Sequence, residues 1–164
     1  MPQRRWTRRT AALTRSPPAN AIGIWIRLGR LGSLPGFFLR GGKVLLLVMN
    51  WLPFEDSIAN ASEQLVLRYN PSWSGAGEQE QPIVPNPAYN TDFTCTCQRT
   101  WRLQVPFTRE SWHGRMRACR GVGASLAPGD LQSWEQEHRA LLERIAPPQF
   151  TVTHYAALTE LTKK

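Results

Sequence analysis

The chain has 164 residues, enough for one domain with a real core. It is 41% hydrophobic and 20% charged, a globular composition, and its 12 glycines and three cysteines exclude collagen-like and disulfide-scaffold classes. The net charge of +8 sits at one end: residues 1–43 hold eight arginines and Lys43 with no acid, while the remaining 121 residues sum to −1. Basicity therefore argues for a nucleic-acid partner only through the amino-terminal segment. The longest apolar run, residues 44–49, is far short of the ~18 residues of a membrane span.

Residues 1–40 form one compositional unit, a basic Arg/Gly/Pro-rich segment, as in Arg4-Arg5-Trp6-Thr7-Arg8-Arg9 and Ser16-Pro17-Pro18. Within it, only residues 21–28 (AIGIWIRL) carry the apolar density of a short strand. A phosphate-touching arm in residues 1–20 and an acid-free transit peptide are both compatible with that composition. So is translation of GC-rich DNA in a wrong frame. No apolar stretch follows the arginines directly, which argues against a secretory signal.

Residues 41–164 are the globular part. Gly41-Gly42 is a turn, and residues 44–49 (VLLLVM) read as a strand buried on both faces, as in a parallel or central position. Asp56 or Ser57 can cap the helix that follows, with Ile58, Ala61, Leu65 and Tyr69 on its inner stripe and Glu63 and Arg68 outside. Asn70-Pro71 ends it, and residues 72–90 are a long excursion. Residues 93–105 alternate as a half-exposed strand, with Cys95, Cys97 and Trp101 on one apolar face. Residues 107–120 read as a short helix closed by Gly121-Val122-Gly123. Pro128 opens another helix, with Trp134, His138 and Leu142 in its stripe and Glu135–Arg139 as an i,i+4 pair. Residues 150–158 close the chain as a strand. This order describes the trailing half of an α/β sheet.

The run Asn50-Trp51-Leu52-Pro53-Phe54-Glu55-Asp56, continuing to Tyr69-Asn70-Pro71-Ser72-Trp73, resembles a bacterial family of S-adenosylmethionine-dependent methyltransferases of the class I fold. The likeness resumes at Val105-Pro106-Phe107-Thr108-Arg109-Glu110-Ser111-Trp112-His113-Gly114-Arg115-Met116-Arg117 and runs through Gly121-Val122-Gly123-Ala124-Ser125-Leu126. It ends with Phe150-Thr151-Val152-Thr153-His154-Tyr155-Ala156. The resemblance implies an α/β fold: part of a class I (Rossmann-like) methyltransferase sheet, its fifth to seventh strands with flanking helices. Residues 44–49 would be the fifth strand, 94–105 the sixth and 150–158 the antiparallel last one, lying between the other two. It also implies S-adenosylmethionine as methyl donor and an acceptor of unknown identity. The family's Gly-rich turn after its first strand, and the acid ending its second, have no counterpart in residues 1–40. Backbone amides at that turn and that carboxylate hold the donor. The chain alone is therefore expected neither to bind it appreciably nor to transfer methyl groups, as a truncated carboxy-terminal portion. Its fifth strand, lacking the fourth, would offer an edge for self-association.

Asn50, Trp51 and Glu55 follow the carboxyl end of a strand, where α/β sheets place ligands; packing and helix capping are the competing roles. Trp112, His113, Arg115 and Arg120 form an aromatic–basic cluster whose arginines could grip an anionic substrate group. The competing account is a surface helix with salt bridges and a core-facing Trp112. Cys95, Cys97 and Cys119 read as buried reduced thiols, not metal ligands, and with an odd count they fit the reducing cytoplasm. His138 and His154 read as structural.

Overall fold

A computed structural model describes residues 26–28 and 40–164. Its strands are β1 (Ile26–Leu28), β2 (Lys43–Trp51), β3 (Phe93–Thr108) and β4 (Gln149–Lys163). Its helices are α1 (Ser57–Tyr69), α2 (Arg109–Arg117) and α3 (Pro128–Ile145), with a 3-10 turn at Pro87–Thr91. Residues 1–20, the candidate nucleic-acid arm, lie outside the described residues. Of the run 21–28, the part described is a strand.

The sheet order is β1-β2-β4-β3. Both β2 and β3 run antiparallel to β4, so they are parallel to each other. The closing strand thus lies between the other two long strands, the order expected for them. Every ladder among the described residues is antiparallel, so the parallel strand pairs of a Rossmann-like sheet are not seen in this portion. One expectation fails: the strand β2 is not buried on both faces, since only Asn50 and Trp51 are buried, and Met49 is 45% exposed. Val44-Leu45-Leu46-Leu47-Val48 are each half-buried. The edge of β2 is not bare either, since β1 pairs with it at positions 43–45.

Register sorts the side chains. Trp51, His154 and Leu103 lie across from one another on one face, and Asn50, Tyr155 and Arg102 on the other. The first face takes the three helices. Its core holds Trp51, Trp112, Trp134, Val66, Leu142 and Val152. On the second, Ile83 packs with Val48, Leu52, Tyr155 and Ala157, and Glu78 and Glu80 reach Tyr155, Thr100 and Arg102. Asp56 anchors the junction: Oδ1 accepts the N–H groups of Ile58 and Ala59 as the α1 cap. Its Oδ2 accepts Thr153 N–H at 3.0 Å, tying the helix start to β4. A capping box between Thr108 and Ser111 starts α2. The strand before it is longer than its alternation suggests, so the helix begins at Arg109 and not at Phe107.

A register shift between Cys95 and Cys97 sets the former opposite Leu161 and the latter opposite Glu160. Neighbours on β4 face opposite ways, so the two thiols do not share a face. Nor are they buried: Cys95 is exposed and Cys97 half-buried, and only Cys119 is enclosed.

Candidate functional site

The carboxyl ends of β2 and β3 meet the start of β4, and the candidate residues divide there by face. Trp51, fully buried, donates its indole N–H to Glu63 Oε1 at 2.5 Å. Glu63 Oε2 accepts Gly77 N–H at 2.8 Å. Gly77 has φ +75°, the left-handed conformation glycine adopts without strain, and this aims its amide at the carboxylate. Burial raises the Glu63 pKa against the lowering effect of those two hydrogen bonds. Glu63 was expected outside the helix stripe. It is buried because the stripe runs through Ala59, Ser62, Glu63, Leu65 and Val66, rotated from the one expected.

Behind Trp51 lies a polar chain in the core. Trp112 meets Trp51 edge-on at 5.6 Å and donates to Ser62 Oγ at 2.9 Å. Ser62 gives its own proton to Ile58 C=O at 2.9 Å. His138 Nε2, 3.0 Å from Ser62 Oγ, must then be the donor of that pair. Its Nδ1 is left as an acceptor, so His113 Nδ1 donates to it at 3.0 Å. By elimination His113 Nε2 carries a lone pair, buried without a partner among the described residues. This tautomer leaves an acceptor unsatisfied there and not a donor. Burial, then the neighbouring His113, lowers the His138 pKa to about 3, and burial lowers that of His113. His113 and His138 stack on Trp134, at 5.4 and 4.7 Å.

Arg115 is half-buried, and its guanidinium lies 4.7 Å over the Trp51 ring. Burial lowers its pKa from the usual arginine value. His154, across the ladder from Trp51, donates Nδ1–H to Val152 C=O at 2.9 Å, and burial lowers its pKa. Arg120, in contrast, is exposed.

The opposite face carries Asn50 and Glu55. Asn50 is buried and hydrogen-bonds the Tyr155 side chain, whose hydroxyl donates to Glu78. Burial and the Glu78 contact raise the Tyr155 pKa. Glu55 is exposed and pairs with Arg102, which also holds Glu80 at 2.6 Å. Leu52, Phe54, Glu55, Glu78, Glu80 and Arg102 line an open cavity of about 390 Å³. The structure thus joins Trp51, Trp112, His113 and Arg115 on the helical face. It sets Asn50 and Glu55 on the other face and leaves Arg120 exposed.

Residues missed in the sequence are Ser62, Glu63 and Glu78, each chosen by a partner distant in the chain. Among the described residues, no group of three or more His, Cys, Asp and Glu side chains could hold a metal. Among the described residues, glycines with left-handed φ are Gly41 and Gly77. No described helix is long and apolar enough to cross a membrane.

No family model, curated protein or solved structure matches the chain.

Proposed function

We propose that residues 41–164 are the acceptor-side portion of an S-adenosylmethionine-dependent methyltransferase of the class I fold. The observation that supports this is the strand arrangement: β4 is inserted antiparallel between β2 and β3, which are parallel to each other. The resemblance implies the same arrangement for the fifth, seventh and sixth strands. The role of this portion is to shape the acceptor pocket at the carboxyl ends of β2 and β3. Positioning of that kind contributes up to ~7–11 kcal/mol of a two-reactant barrier. Grip on the donor must come from residues other than those described. The cysteines Cys95, Cys97 and Cys119 are free, which fits a reducing cytoplasm.

The DNA upstream of codon 41, read in all three frames, tests the proposal. A strand, a Gly-rich turn and a helix, followed by a strand ending in an acid, are expected there. An uninterrupted frame through codon 1 that meets a neighbouring gene, with no such motif in any frame, would overturn it.

A further inference from the structure

Arg115 differs from the other described arginines. Arg68, Arg102, Arg117 and Arg139 each face a carboxylate, and Arg109 holds the Ala146 carbonyl. Arg40, Arg99, Arg120 and Arg144 are exposed to water. Arg115 is half-buried, and among the described residues it makes no hydrogen bond or ion pair; its contact is the Trp51 ring. A cation drawn from water without a counter-charge is costly, and one held this way is poised to accept an anion.

Among the described residues no carboxylate forms an ion pair with Arg115. The Glu63 carboxylate is turned to the Trp51 indole and the Gly77 amide. Burial raises the Cys119 pKa, keeping the thiol neutral, and lowers that of His154, keeping the ring neutral.

An apolar shelf starts beside this cation. One same-face step along the ladders from Trp51, His154 and Leu103 are Met49, Ala156 and Trp101. Met49 and Trp101 are each 45% exposed. The two rows lie about 7 Å apart along the strands, the length of a fused bicyclic ring. A single guanidinium suits one negative charge, and its planar fork matches a carboxylate.

We infer that Arg115, stacked on Trp51, and the shelf of Met49, Ala156 and Trp101 bind a singly charged carboxylate carried on a flat apolar body. The inference deepens the methyltransferase reading by naming the acceptor as an apolar carboxylic acid, and to that extent rests on it. The binding itself requires no methyl donor.

The test is calorimetric titration of the full chain with 2-naphthoate, 2-naphthamide and inorganic phosphate. Saturable naphthoate binding is expected, with the neutral amide of the same shape about tenfold weaker and phosphate not saturating. Arg115→Gln should reduce naphthoate binding to the level of the amide, while Arg120→Gln leaves it unchanged. No naphthoate binding, equal binding of acid and amide, or tighter binding of phosphate would overturn the inference. The acid–amide comparison uses the unmodified chain, so it stands even if the Arg115 variant does not fold. Naphthoate binding in a chain whose upstream DNA lacks a donor motif would keep the site and remove the acceptor assignment. Absence of binding in a chain that has the motif would remove the site alone.

Discussion

Replacing Ser62 with alanine isolates the polar chain behind Trp51. The hydroxyl is fully enclosed and accepts two buried donors, Trp112 Nε1–H and His138 Nε2–H. Without it both donors lose their partner inside a dry core, at about 1–3 kcal/mol each. A tautomer shift cannot rescue the histidine. Moving its proton to Nδ1 would oblige His113 to carry one on Nε2, which has no acceptor among the described residues. The bond to Ile58 C=O offsets little, because that carbonyl also lies in the helix, and alanine returns about 0.5 kcal/mol of helix propensity. The net expectation is a loss of about 3 kcal/mol. Urea unfolding followed by tryptophan fluorescence would read it as a midpoint lowered by about 1.5 M, for a slope near 2 kcal/mol/M. Ser133→Ala is the control: its hydroxyl makes the same bond to the carbonyl four residues back, Gly129, but on an exposed surface. It should shift stability by less than about 0.5 kcal/mol. If Ser62→Ala and Ser133→Ala cost the same, the assigned network is wrong.

Gly123→Ala should destabilise by about 2 kcal/mol or more, because a Cβ there would sit 2.6 Å from the Arg117 carbonyl oxygen, which is backbone and cannot swing away. Gly114→Ala, in the middle of α2 with nothing within 4 Å, should instead stabilise by about 0.5–1 kcal/mol; thermal melts of the two variants check both signs. Stability should fall with acidification between the unfolded histidine pKa of about 6.5 and the folded His138 value of about 3, by up to about 1.4 kcal/mol per pH unit. In that window the unfolded chain binds a proton that the folded chain refuses, so full stability lies above the window. Urea midpoints at pH 7 and pH 5 that coincide would contradict this. Glu63→Gln keeps one acceptor but turns an amide N–H toward either Trp51 or Gly77, and should cost about 1–3 kcal/mol in the same urea assay.

Much of this architecture was legible in the sequence where local chemistry decides it. Asn70-Pro71 and Pro128 mark helix limits through dihedral and hydrogen-bond constraints that act within a few residues. Gly121 does not: α2 ends at Arg117 with Ala118 as its cap, and Gly121 has no left-handed φ. The three long strands and three helices follow from those limits and from apolar spacing. Features fixed by long-range partners were not legible. Glu63 reads as a surface acid until the Trp51 indole and the Gly77 amide are brought to it. The extra residue at the Cys95/Cys97 shift leaves no mark in an alternating pattern, so the thiols were placed on one face. Arg139 and Glu135 satisfy helical spacing, yet Arg139 pairs with Glu110 and Glu135 with Arg117, because α2 lies alongside α3. Run length alone suggested that β2 is buried on both faces, but what covers a strand is set elsewhere in the chain. In the candidate site, Trp51, Trp112, His113 and Arg115 were found as a helix-spaced and strand-end set. Their division from Asn50 and Glu55 needed the ladder register.

S-adenosylmethionine binding, measured by calorimetry on two proteins, tests the central claim most directly. One is this chain; the other is residues 41–164 preceded by the polypeptide that the upstream DNA encodes in the frame carrying the donor motif. No saturable binding below about 1 mM is expected for the first and saturable binding for the second. Saturation by this chain alone, or none by the extended protein, would contradict the account.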